Sequence, residues 1–257
     1  MRHSILALLG ATALSVVAAQ VATAADMPTK APASAPIAMY NWTGFYIGGE
    51  AGGGWDTNNV TNVTGGKNFP AGMVHSSQTG SGFLGGAYGG FNYQINQFVI
   101  GIDGDYSWAS LSGSNSTISP TGFTDRENDT VKWLATVTGR LGYAVNNWLF
   151  FGKGGWAAAG FSGTTADFNV AGVNTSNGTT SSTRNGWTLG AGVEWGITRN
   201  WSAKLEYDYV NFGTANYTEN DVDIGVGGGS PAGTLTPFSR SATSYLNIVK
   251  LGVAYRF

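Results

Sequence analysis

The C-terminal stretch Ser244–Phe257, SYLNIVKLGVAYRF, alternates along its whole length. Tyr245, Asn247, Val249, Leu251, Val253, Tyr255 and Phe257 share one face. Leu246, Ile248, Lys250, Gly252, Ala254 and Arg256 share the other. A period of two is the mark of a β-strand. Both charges fall opposite the aromatic residues. In a soluble sandwich the apolar face would turn inward; in a membrane barrel it turns to lipid and the charges point into the lumen. One strand leaves both open, so the other segments decide.

The same pattern recurs upstream. FVIGIDGDYSWA sets Phe98, Ile100, Ile102, Tyr106 and Trp108 against Val99, Asp103, Asp105 and Ser107. TVKWLATVTGRLGYAV sets Val131, Trp133, Val137, Leu141 and Tyr143 against Lys132, Thr136, Thr138 and Arg140. GWTLGAGVEWGI sets Trp187, Leu189, Ala191, Val193 and Trp195 against Thr188 and Glu194. WSAKLEYDYV sets Trp201, Ala203, Leu205, Tyr207 and Tyr209 against Lys204, Glu206 and Asp208. Glu50 in GFYIGGEAGGGW and Lys153 in WLFFGKGGWAAAG also lie opposite apolar neighbours. GFLGGAYGGFNYQ alternates poorly, and its register stays open.

Eight strands result, joined alternately by short and long connections. The short ones are INQ, NN and TRN; the long ones cover about 56–78, 111–129, 162–182 and 212–242. Short periplasmic turns and long extracellular loops are the pattern of outer-membrane barrels. The aromatic spacing agrees. Trp187 and Trp195, Trp201 and Tyr209, and Phe98 and Tyr106 stand eight residues apart on one face. With strands tilted as in such barrels, that separation spans roughly 20 Å of height, close to the apolar band between two aromatic girdles. Tyr143, Trp148, Trp195, Trp201, Tyr255 and Phe257 form the expected periplasmic girdle. Trp55, Trp108, Trp133, Trp187, Tyr209 and Tyr245 form the upper one. The expected fold is therefore all-β, an eight-stranded antiparallel up-and-down transmembrane β-barrel over residues 42–257.

Composition supports an exported membrane protein. Charged residues are only 11% of the 257, there are 40 glycines and 9 tryptophans, and cysteine is absent. That excludes disulfides, thiolate metal sites and cysteine nucleophiles. A net charge of −2 gives no basic field for nucleic acid. Residues 1–24 combine Arg2, an apolar run and an Ala22-Thr23-Ala24 end, the signature of a cleaved secretory signal rather than a retained anchor. Residues 25–41, rich in Pro and Ala, read as a linker.

The lumenal face collects Glu50, Asp103, Asp105, Glu194, Glu206 and Asp208 against Lys132, Arg140, Lys153, Lys204, Lys250 and Arg256. The two sets balance. Eight strands leave room for side chains only, so the expected arrangement is a packed salt-bridge plug. A narrow ion path lined by the same residues is the alternative.

Other motifs carry little chemistry. Gly80–Gly85 spells G-x-G-x-x-G, but no βαβ unit surrounds it, so it is not a nucleotide fingerprint. His75 is the single histidine beyond the signal and sits in the first expected loop, which argues against an enzyme and against a haem ligand. TDRENDT (124–130) reads as a solvated stretch that divalent cations could bridge to lipopolysaccharide. Glu219, Asp221 and Asp223 alternate, but lack the rest of a calcium loop.

WTGFYIGGEAGGGW after a Pro/Ala linker, LFFGKGGWA, and the ending LGVAYRF resemble the outer-membrane immunogenic protein family of alpha-proteobacteria, within the OmpA-like, opacity-type porin group. The resemblance covers about residues 41–257. It implies location in the cell outer membrane, both termini in the periplasm, and a terminal aromatic, Phe257, read by the barrel-assembly machinery. It implies neither catalytic residues nor a cofactor. The expected role is a structural, surface-exposed envelope protein; a small porin, or an adhesin or haemin-binding protein, are the alternatives. The expected partners are outer-membrane lipid and lipopolysaccharide, the assembly machinery, and a host-surface ligand.

Overall fold

The computed structural model describes residues 40–64, 71–72, 74–118, 124–168, 174–222 and 235–257. The signal segment and the linker as far as residue 39 lie outside these. The strands are β1 (Gly44–Asn62), β2 (Val74–Ile95), β3 (Phe98–Ile118), β4 (Thr124–Val145), β5 (Trp148–Phe168), β6 (Asn174–Gly196), β7 (Trp201–Val222) and β8 (Leu235–Arg256). Each pairs antiparallel with its sequence neighbours, and β1 pairs with β8 to close the barrel. Among the described residues no helix is long and apolar enough to cross a membrane.

Three tight connections lie at one end, together with the start of β1 and the end of β8. Asn96 and Asn146 take positive φ, 55° each, which asparagine accepts more readily than most residues. The third turn closes through Ile197 N–H donating to the Trp201 carbonyl at 2.8 Å.

The opposite end differs from expectation. The strands run 19 to 23 residues, about twice what a bilayer crossing needs. They consume much of the four stretches expected to be loops. Sequences such as TNNVTN and SGSNSTI are polar on both faces. Above the membrane both faces of a wall can be polar, so alternation fades while backbone pairing continues. His75, expected in a loop, lies in β2, as do Thr124–Thr130 in β4 and Glu219–Val222 in β7. Asp223 and the GVGGGSPAG tip lie outside the described residues.

The undecided register of β2 is fixed on both sides. Ala51 pairs Gly85 on one flank, and Gly85 pairs Trp108 on the other. This turns Leu84, Tyr88 and Asn92 inward and Phe83 and Tyr93 outward.

The girdle residues point outward as expected. Trp148 stacks on Trp195 at 5.9 Å, and Trp201 meets Tyr255 edge-on, which meets Phe257 in turn. In the upper girdle Tyr106 stacks on Trp133 at 6.1 Å, and Trp187, Tyr209 and Tyr245 form a chain of tilted contacts. Trp55, Trp108 and Tyr143 are exposed on the same outer surface. Such ladders brace neighbouring strands where lipid meets headgroups.

Candidate functional site

Among the described residues the buried charges gather in the lumen, and β8 reads out its tiers. Leu246 and Ile248 are apolar and fully buried, Lys250 is charged and fully buried, Ala254 is apolar, and Arg256 ends the series. Neighbouring strands repeat the order. In β7, Val210 lies at the level of Leu246, with Asp208, Glu206 and Lys204 below it.

The upper tier is an apolar layer of Leu84, Leu111, Val131, Leu134, Ala157, Ala159, Val210, Phe212, Leu246 and Ile248. Alternation in the sequence places Val131 on the lipid face and carries no sign of this layer. Register shifts between Trp108 and Leu111 and between Val131 and Trp133 explain the error. A bulge adds a residue and reverses which side chains face inward. Val131 and Leu134 both turn in, and Lys132 is exposed on the outside.

The middle tier holds the charges. Lys250 Nζ lies 2.9 Å from Asp105 Oδ1, 2.9 Å from Asp208 Oδ2, and 3.2 Å from both Glu50 Oε1 and Glu206 Oε1. Lys153 Nζ donates to Glu206 Oε1 at 2.7 Å and lies 3.4 Å from Asp208, 3.6 Å from Asp105 and 3.8 Å from Asp103. Lys204 Nζ contacts Glu50 Oε2 at 3.0 Å and Glu206 Oε2 at 3.3 Å, and sits 3.6 Å over the Tyr88 ring. Oxygens of Glu50, Asp105 and Glu206 lie within 4.8 Å of one another, the spacing of a metal cluster. The Lys250 ammonium lies among them and supplies the positive charge itself.

With Lys132 outside, the two sets do not balance. Six carboxylates (Glu50, Asp103, Asp105, Glu194, Glu206, Asp208) face five bases (Arg140, Lys153, Lys204, Lys250, Arg256). Hydroxyl groups provide further compensation. Tyr46 donates to Asp103 Oδ2 at 2.6 Å, Ser107 to Glu50 at 3.1 Å, Thr136 to Asp105 at 2.9 Å and Ser202 to Glu194 at 2.7 Å. A buried carboxylate is tolerated when its lone pairs are matched by donors, charged or neutral.

The lower tier centres on Glu194. Arg140 contacts it at 2.5 Å and Arg256 at 3.5 Å, and Arg140 lies 3.7 Å over the Phe151 ring. Beneath, Tyr40 and Trp42 pack with Val99, Ala144, Leu149 and Phe151. These two aromatics precede β1 and fold back into the barrel mouth. Gly44, at φ 137°, makes the turn, and a Cβ there would stand 3.0 Å from the Phe257 carbonyl oxygen. Trp42 N–H donates to Gln94 Oε1 at 2.8 Å, Gln94 N–H donates to Thr43 Oγ1 at 3.0 Å, and Arg256 donates to the Trp42 carbonyl. The sequence places Tyr40 in the linker and marks no role for Trp42. Their signal was two aromatics after a run of small residues and prolines.

Residues 7–229 match the outer membrane protein β-barrel domain family. The 31 kDa outer-membrane immunogenic protein of Brucella melitensis biotype 1 is 35% identical over 227 residues, 81% of this chain and 89% of that protein. The 22 kDa outer membrane protein of Rhizobium leguminosarum bv. viciae is 29% identical, covering 84% of this chain and 79% of its own length. The 25 kDa outer-membrane immunogenic protein of Brucella abortus biovar 1 is 30% identical over 72% of this chain and 74% of its own. The closed barrel, its two girdles and these relatives agree: the chain belongs to the outer-membrane β-barrel family, alongside the immunogenic proteins of Brucella, and resides in the outer membrane.

Proposed function

We propose that this barrel is a sealed anchor rather than a pore, and that its role is exercised by the wall and loops it raises above the membrane. The observation that carries this reading is the stack of tiers inside. Trp42, without exposure to solvent, lies at the periplasmic mouth, and Leu246 and Ile248, equally buried, lie across the lumen above the charges. An ion would have to cross an apolar layer at one end and displace an aromatic pair at the other, and desolvation opposes the first step.

Outer-leaflet lipid and lipopolysaccharide are the partners proposed for the girdles, and the assembly machinery for the exposed Phe257. A host-surface ligand is proposed for the extracellular rim. No residue is assigned a catalytic step.

Planar-bilayer recording on the refolded chain tests it, with folding verified by heat-dependent gel mobility. The expected result is a silent membrane for the native protein and for Arg140→Ala. Discrete conductance steps from the native protein, altered by Arg140→Ala, would overturn the sealed reading and favour a small porin.

A further inference from the structure

Above the apolar tier the lumen becomes polar again, and here two carboxylates have no ammonium between them. Asp56 stands on β1 immediately beyond the girdle residue Trp55, and Asp129 stands on β4 four positions beyond Trp133. Asp56 is 7% exposed, and its Oδ1 has no hydrogen-bond partner. Among the described residues neither carboxylate has an ion-pair partner. Arg184 acts on Asp129 only at longer range, its guanidinium donating instead to Ser244 Oγ at 2.7 Å.

The strands between them provide space. β2 and β3 place Gly80 and Gly113 there, and Gly80 is the register partner of Asp56 while Gly113 is that of Asp129. A Cβ at Gly80 would collide with Asp56 Oδ1, and a Cβ at Gly113 would stand 3.0 Å from both the Gly80 Cα and Gln78 Nε2. The Asp56 carboxylate and the Gln78 amide therefore converge over a floor of bare backbone. Gln78 is 3% exposed, and its Nε2 is also without a partner. A half-turn of that amide exchanges nitrogen for oxygen at the same place, since the two ends are nearly isosteric.

Asp129 reaches across the lumen to β1, the strand that carries Asp56. Asn58 Nδ2 donates to Asp129 Oδ2 at 3.3 Å, and Asn58 Oδ1 accepts from Ser244 Oγ at 3.0 Å, which accepts from Arg184. Such contacts orient a ligand carboxylate; the other oxygen, Oδ1, lies over Gly163 of β5, where a Cβ would stand 2.7 Å from it. We propose that Asp56, Asp129 and Gln78 form a divalent-cation site of the Ca²⁺ type in the extracellular half of the lumen. Hard oxygen donors, two of them anionic, with water completing an adaptable shell, are what Ca²⁺ accepts. The position suits it as well, since these residues stand on the side of the apolar tier away from the tight turns. Burial raises the pKa of both carboxylates, the cost that a bound cation would offset.

Isothermal titration of Ca²⁺ alone into the full chain, refolded in detergent and freed of metal, tests the assignment. The expected result is one saturable Ca²⁺ per chain, lost in Asp56→Asn and in Asp129→Asn, and kept in a Glu219→Gln/Asp221→Asn control. Gly113→Ala, which narrows the floor without touching a ligand, should weaken binding at least severalfold. It serves as the second test if a ligand variant fails to fold. No saturable uptake by the folded native chain would overturn the proposal, as would uptake indifferent to Asp56, Asp129 and Gly113, or uptake lost only in the control.

Discussion

Lys250 Nζ stands 2.9 Å from Asp105 Oδ1 on β3 and 2.9 Å from Asp208 Oδ2 on β7, so one ammonium ties three strands across the lumen. Glu50 on β1 adds a fourth at 3.2 Å. Lys250→Ala would leave these carboxylates facing one another without their central cation. Breaking a buried ion network from one side costs about 3–5 kcal/mol, because the stranded charges stay desolvated. The expected outcome is a clear fall in the urea midpoint of the detergent-refolded barrel. An unchanged midpoint would show that water enters the charged tier and screens it.

Lys132 gives the opposite expectation. It is exposed on the outer wall beside the β4 register shift, and the lumenal ion pairs do not include it. Lys132→Ala should leave the unfolding midpoint unchanged within error, as for surface substitutions remote from a buried network. A fall comparable to that of Lys250→Ala would mean that Lys132 faces inward.

These two lysines show what was legible in the sequence and what was not. Lys250 sits in an uninterrupted period of two, so its face followed from counting. Lys132 sits in the same kind of pattern, but one extra residue shifts its phase, and alternation contains no signal for a bulge. The apolar tier was hidden for the same reason. Val131 alternates in phase with lipid-facing residues, and Leu246 and Ile248, though on the lumenal face, give no hint that apolar neighbours from five other strands join them. Strand length was under-read because Thr, Ser and Asn on both faces look like loop once both faces meet water. Strand number, girdles and most of the charged network were legible because the membrane enforces them: lipid accepts only apolar groups, and eight strands leave no space for unpaired charge.

The turn at Gly44 makes a specific claim about the periplasmic stopper. Its φ of 137° lies where an L-residue is strained, and an added Cβ would press on the Phe257 carbonyl. Gly44→Ala should therefore cost about 1 kcal/mol or more and loosen Tyr40 and Trp42 together. Trp42→Ala removes the stopper outright, and loss of a fully buried tryptophan costs about 3–5 kcal/mol when the site cannot collapse. Both variants should increase quenching of tryptophan emission by iodide. Native-like quenching in Gly44→Ala would show that the stopper does not depend on this turn.

The Asp56–Asp129 pair predicts how pH acts on the extracellular half of the barrel. Burial is the leading cause that lifts each carboxyl above its ordinary value, and for Asp56 the charge on Asp129 adds to it. A carboxyl with a higher pKa folded than unfolded holds its proton more tightly in the folded state. Its stabilising contribution is complete below the unfolded value, near 3.8, and is lost as pH rises through the folded value. In chelator the two groups should therefore oppose folding increasingly as pH climbs out of the acid range towards neutrality. Asp129→Asn should remove part of that slope and raise the urea midpoint at neutral pH. Adding Ca²⁺ to the native chain should recover stability at neutral pH and have little effect in acid, where protons compete for the same oxygens. A midpoint that is flat between pH 4 and 7 in chelator, and equal for native and Asp129→Asn, would mean that both carboxylates are solvated in the folded barrel.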